Sequence, residues 1–138
     1  MAGPRRYLLD TNIASYIIRE KDPIIRRRLR RVPVSGVCIS AITQAELLFG
    51  VARKSEAKAL SAAVSAFLDH VEVLAWGSDS AKCYAELRAR SERKGVSLGS
   101  LDMLIAAHAI AVGAVLVTND AAFKNIEQAR IEDWTKPR

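Results

Sequence analysis

Cysteine and histidine are scarce in this sequence: Cys38 and Cys83, His70 and His108, two of each in 138 residues. No C-x-x-C spacing occurs and the histidines stand alone, so neither a zinc site nor a disulfide framework has enough ligands. Buried free thiols are the expected state of both cysteines. Long hydrophobic runs are missing as well, none approaching the roughly 18 residues that cross a bilayer. The opening segment from Met1 to Asp10 has too short an apolar stretch for a secretory leader. A cytoplasmic protein with no membrane attachment is therefore expected. The chain also carries no internal repeat, low-complexity block or linker, and its length fits one domain over residues 1–138.

What is present suits a packed core. Half of the residues are hydrophobic (50%) and 26% are charged, far from the composition of disordered chains. Lys and Arg outnumber Asp and Glu by 21 to 15, a net charge of +6. Such a surplus favours encounter with polyanions without naming a chemistry.

The hydrophobic pattern alternates short strands with helices. Tyr7-Leu8-Leu9 reads as a buried strand, and Asp10-Thr11-Asn12 offers capping side chains for a helix bearing Ile13, Tyr16 and Ile17. Asp22-Pro23 starts a second helix through the basic stretch Arg26 to Arg31, closed by Pro33 and Gly36. Val37-Cys38-Ile39 is a further strand, and Ser40 opens a helix from Ala41 to Phe49, with Gly50 as an interruption. A helical hairpin is expected next, Glu56 to Leu68 and Ser80 to Arg93, with Val71 to Leu74 extended between them. Ser100 to Val112 is a helix apolar almost all round, followed by the strand Val115-Leu116-Val117 and a short mixed tail. Strands separated by helices predict a parallel sheet covered on both faces, with ligands gathering at the carboxyl ends of its strands. Asp10 and Asp120 fall on that rim.

Four acids stand out by position: Asp10, Glu46, Asp102 and Asp120. Asp102 and His108 are the only ionisable residues between Leu101 and Val112, and a buried carboxylate needs a partner. Glu46 borders an apolar stripe of Ile42, Ala45, Leu48 and Phe49 and is expected at the margin of the core. Each aspartate has a plainer explanation as a helix cap or a dipole partner. Together they are harder to explain so. Two carboxylates about 6 Å apart at an effective dielectric of about 20 repel by roughly 3 kcal/mol, so a cluster requires something positive. Oxygen ligands without a Cys or His cluster suit Mg2+ or Mn2+, and such an ion supports phosphodiester hydrolysis. With the four set aside, the 15 acids fall to 11 against 21 bases, a surplus of ten. An acidic centre in a basic surround is what a nuclease needs. Arg26, Arg27, Arg28, Arg30 and Arg31 are the densest candidates for RNA contact, with Arg88, Arg90, Arg93 and Lys94 as a second group.

Four segments carry a resemblance that covers nearly the whole chain. They are Leu8-Leu9-Asp10-Thr11-Asn12, Ile39 to Leu47, Asp102 to Ala109, and Leu116-Val117-Thr118-Asn119-Asp120. In this order they resemble the PIN-domain ribonucleases, and most closely the VapC toxins of bacterial toxin–antitoxin pairs. The resemblance implies a three-layer α/β/α sandwich around a short-stranded parallel sheet, and Mg2+-dependent endonucleolytic cleavage of RNA by an activated water. It places Asp10 and Asp102 as main metal ligands, with Glu46 and Asp120 completing the site directly or through water, and Asn12 and Thr118 as polar residues holding them. It further implies a homodimer and a VapB-like antitoxin whose C-terminal segment wraps the toxin and presents a basic side chain to the acids. The wording around Tyr16-Ile17-Ile18-Arg19 and Asp102 to Ala109 is similar to the group that cuts initiator tRNA in its anticodon stem-loop.

Two rival readings remain at this level. Asp10 as a covalent nucleophile would follow phosphoaspartyl chemistry, but the second Asp that such enzymes carry two positions on is Asn12 here. A non-catalytic basic module that binds RNA or an antitoxin would leave the acids as caps.

Overall fold

The computed structural model describes residues 5–54 and 56–137. Its elements run β1 (Tyr7–Leu9), α1 (Thr11–Arg19), α2 (Pro23–Leu29), a 3-10 turn (Val34–Gly36), β2 (Val37–Ser40), α3 (Ala41–Ala52), α4 (Lys58–His70), β3 (Glu72–Leu74), α5 (Ser78–Lys94), α6 (Ser100–Val112), β4 (Val115–Val117), a second 3-10 turn (Ala121–Asn125) and β5 (Arg130–Glu132). The five strands form one parallel sheet in the order β3-β2-β1-β4-β5.

Period-two alternation within the strands sorts the side chains onto two faces. Leu8, Cys38 and Leu116 pack with Leu87 of α5 and with Met103, Ile105, Ala106 and Ala109 of α6. Leu9, Ile39 and Val117 pack on the opposite side with Ile13, Ile25, Leu47 and Val64, from α1 to α4. Helices on both faces of a parallel sheet give the three-layer α/β/α architecture, and they account for strands apolar on both sides. Among the described residues no helix is long and apolar enough to cross a membrane.

The boundaries follow local chemistry. Asp22 accepts from the amides of Ile24 and Ile25 with Pro23 in the first turn of α2, the arrangement its sequence predicts. Gly113, at φ 68°, ends α6 in the left-handed region and delivers the chain to β4.

Three expectations are corrected. Gly50 does not interrupt α3, which runs on to Ala52, because a single helical glycine costs only about 1 kcal/mol. The segments expected as a helical hairpin lie on opposite faces of the sheet: Val64 of α4 belongs to one core and Leu87 of α5 to the other. The strand β3 between them pairs with β2 at the sheet edge, so the chain changes layers there, and α5 packs on α6 instead. The tail forms a fifth strand, β5, paired with β4.

Candidate functional site

The chain leaves β1 outward through β2 to β3 and returns to the other side of β1 as β4, so strand order reverses between β1 and β4. At such a reversal the connections diverge and open a crevice beyond the carboxyl ends of the strands. Asp10 follows β1 directly, its amide continuing the ladder to the carbonyl of Val117 at 2.9 Å. Asp120 stands three residues beyond β4. Asp102 comes from the first turn of α6 and Glu46 from the middle of α3.

Asp10 is 3% exposed. One carboxylate oxygen, Oδ1, accepts from the amide of Ile13 at 2.9 Å and caps α1. The other, Oδ2, accepts from the Thr118 hydroxyl. Thr118 Oγ1 in turn accepts from the amide of Asp120 at 3.1 Å, so one buried hydroxyl ties the turn after β4 to the carboxylate after β1. Asp120 caps the 3-10 turn that follows, through Ala122 N at 2.9 Å.

Glu46 is held by a relay of hydroxyls. Thr11 Oγ1 donates to Glu46 Oε1 at 2.6 Å. Its only proton thus used, Thr11 accepts from the buried Thr43 hydroxyl at 3.1 Å.

The acids act on one another. Burial pushes Asp10 from the usual 3.8 up to about 6, with the neighbouring charges of Asp102 and Asp120 adding to the rise against the two hydrogen bonds. Asp102 is raised too, first by burial and then by Asp120 and Glu46. Among the described residues no Lys or Arg forms an ion pair with any of the four.

Their arrangement is looser than the closed cluster expected from the sequence. Among the described residues, no three His, Cys, Asp or Glu side chains converge tightly enough to form a ready-made set of direct ligands. The donors these acids offer are oxygens alone, the set that Mg2+ or Mn2+ takes while retaining several waters and using few protein ligands.

Other expected residues fall elsewhere. Asn12 is exposed, and Thr11 holds Glu46 instead, because the first turn of α1 directs that hydroxyl toward α3. Arg28 is not free to meet RNA. Its guanidinium donates to the carbonyls of Asp133 and Lys136 at 3.1 and 3.0 Å and to Glu132 at 3.3 Å, over the Trp134 ring, and so ties the tail to α2. Arg26 makes an exposed 3.7 Å pair with Glu20. Arg27, Arg30 and Arg31 are exposed.

The stripe beside Glu46 also departs from expectation. Leu48 and Phe49 are 48% and 63% exposed, and α3 buries Thr43 and Leu47 instead. Ile42, Ala45, Phe49, Leu60 and Leu101 line a groove of about 570 Å3 that reaches Glu46 and Thr11, with Arg19, Arg53 and Lys54 along it. Arg53 and Lys54 were not singled out in the sequence, and Arg19 only within the Tyr16 to Arg19 segment, since only folding brings these bases beside an acid.

Against proteins of known family, the model for the PIN domain matches residues 7–129. The chain is 37% identical over 130 residues to the tRNA(fMet)-specific endonuclease VapC of Salmonella typhimurium, covering 94% of this chain and 98% of that one. It is 38% identical over 135 residues to Ribonuclease VapC2 of Rickettsia felis, with the same coverage. The crystal structure of VapBC2 from Rickettsia felis bound to a DNA fragment from their promoter superposes with a TM-score of 0.86 at 35% identity, over 93% of this chain and 98% of that one. With Asp10 and Asp120 following the two strands at the order reversal and likeness along nearly its whole length, the chain belongs to the PIN-domain family, among its VapC ribonucleases.

Proposed function

We propose that this chain is a divalent-metal-dependent endoribonuclease and the toxin of a VapBC-type pair, with residues 1–138 forming one PIN domain. The observation that carries the reading is the state of Asp10: a buried carboxylate crowded by Asp102 and Asp120, with no cation bonded to it among the described residues. A divalent ion relieves that repulsion. The likeness to VapC nucleases supplies the reaction class.

Asp10 and Asp102 are the residues that would hold Mg2+ or Mn2+, with Glu46 and Asp120 completing the ring directly or through water. When bound, the ion supplies Lewis acidity toward an attacking water and neutralises charge at the scissile phosphate. Thr118 orients Asp10, and Thr11 orients Glu46, so both carboxylates are fixed before substrate arrives. Arg27, Arg30 and Arg31 are exposed and would neutralise flanking phosphates.

The non-catalytic reading takes support from the caps, since Asp10 and Asp120 do cap a helix and a 3-10 turn. A cap uses one oxygen. It explains neither the second oxygen of Asp10 nor Glu46, and Asp102 accepts no capping bond at the start of α6. The relatives found as VapBC complexes support a VapB-like antitoxin as partner, and the groove beside Glu46 is open to it. A homodimer and initiator tRNA as substrate complete the proposal. Mapping new RNA ends in cells after brief expression, beside an Asp10→Asn control, tests it. Ends that appear only with the native chain, within one tRNA species, are expected. The same ends from both proteins, or none from either, would contradict it.

A further inference from the structure

The acid ring leaves one buried polar pair unused. His108, 1% exposed on α6, lies with Nδ1 2.7 Å from Ser40 Oγ. Ser40 is fully buried, ends β2 and opens α3, where its Oγ accepts from the amide of Ile42 at 3.1 Å. A serine hydroxyl has one proton. Oγ accepts from Ile42 and keeps both its proton and a second lone pair, and burial lowers the pKa of His108. The ring therefore accepts from Ser40 O–H when its proton sits on Nε2 and donates to Oγ when it sits on Nδ1, and the two side chains are bonded in either tautomer.

The position of this bond matters more than its strength. Asp102 stands six residues before His108 along α6, and Glu46 six residues after Ser40 along α3. At 1.5 Å per residue each acid is about 9 Å along its helix from the shared bond. Leu101, next to Asp102, lines the same groove as Ala45 and Glu46, so the two arms end near one another. Apolar packing alone fixes the rotation and depth of α6 poorly, because its buried contacts include three alanines, Ala106, Ala107 and Ala109, and it is apolar almost all round. A directional bond to the neighbouring helix supplies that register.

We propose that His108 is a positioning residue: its bond with Ser40 locks α6 against α3 and thereby sets the separation of Asp102 from Glu46. The inference rests on the metal-site reading above for its functional meaning, and on hydrogen-bond geometry for its existence. His108 touches no substrate and donates no proton in the reaction.

Two substitutions separate positioning from packing. His108→Asn keeps a hydrogen-bonding group where Nδ1 lies but empties the rest of the ring volume. His108→Leu fills the volume and removes that group. Mn2+ binding by titration calorimetry and thermal melting are measured for both, with Ser40→Ala removing the same bond from the other partner should His108→Leu not fold. The Asn variant is expected to lose melting temperature yet bind Mn2+ within about threefold of the native chain. The Leu variant is expected to lose about tenfold in Mn2+ affinity, the scale seen when a residue orienting a ligand is removed. Native affinity in His108→Leu, or affinity that falls in step with melting temperature in both, overturns the proposal. Amide NMR shifts of Glu46 and Asp102 in the metal-free protein give an independent reading. They are expected to move in His108→Leu and to stay in place in His108→Asn, and equal behaviour of the two variants overturns the brace. A native chain that binds no Mn2+ sinks the metal reading, while the amide comparison still decides the brace.

Discussion

At the scale of single residues, the centre of the account is a carboxylate held at an energetic disadvantage. Asp10 titrates near 6 when folded against 3.8 for an ordinary aspartate. The stability contributed by its protonated form is complete below about pH 4 and lost as pH rises through about 6, a difference of about 3 kcal/mol. Asp10→Asn preserves the shape of the group and its cap to Ile13 while removing the charge. In the metal-free protein this variant is expected to raise the midpoint of urea unfolding at pH 7.5 and to leave it nearly unchanged at pH 4, while RNA cleavage disappears. An unfolding midpoint lowered at both pH values would show that the charge is not what strains the site. Thr11→Val removes the donor to Glu46 and is expected to weaken Mn2+ affinity roughly tenfold with a small change in stability; calorimetric titration checks it. The rim positions of Asp10 and Asp120 were legible in the sequence because each follows a short apolar strand. The hydroxyl relay from Thr43 through Thr11 was not, since those residues lie 32 positions apart and nothing local marks their meeting. Asn12 illustrates the same limit, as neighbours in a motif diverge once a helix turns one inward and the next outward.

At the scale of elements, the basic helix α2 divides its labour. Arg28 turns inward to the tail, where its charge is spent on two carbonyls and Glu132, whereas Arg27, with Arg30 and Arg31 just past the helix end, remains in solvent. Arg28→Ala is therefore expected to cost about 1–3 kcal/mol of stability, as loss of hydrogen bonds from a charged group does, with RNA affinity per folded molecule little changed. Reversing Arg27 and Arg30 to Glu is expected to do the opposite, lowering RNA affinity and flattening its dependence on salt while melting temperature holds. An unchanged salt slope would return α2 to an ordinary solvated face. A run of five arginines cannot announce which of them folds inward, because the acceptors for Arg28 are supplied by the end of β5 and the tail after it, 104 to 108 residues away. The helices themselves were readable from their period and caps, whereas the layer each occupies depends on strand pairing. For that reason α4 and α5 read as neighbours in the sequence and lie on opposite faces in the fold. The stripe on α3 misled for a related reason, since its apolar side faces a groove and Thr43 and Leu47 face the core.

At the scale of the whole molecule, charge is segregated. Asp10 and Asp120 lie where strand order reverses, and none of the four acids pairs with Lys or Arg among the described residues, in a chain whose remaining residues carry a surplus of ten positive charges. Such a division is expected to attract a polyanion over the surface and to repel it at the acids unless a cation is present. Adding Mg2+ or Mn2+ is expected to raise the melting temperature of the native chain in proportion to the logarithm of ion concentration above the dissociation constant. The central claim, that these scattered acids form one site for a divalent ion, is tested most directly by Mn2+ titration of the native chain beside Asp102→Asn, followed by electron paramagnetic resonance. The account predicts saturable binding to the native chain and a loss of at least about tenfold in affinity in the variant, with both proteins folded. Equal binding by the two, or no saturable binding by the native chain, would contradict it.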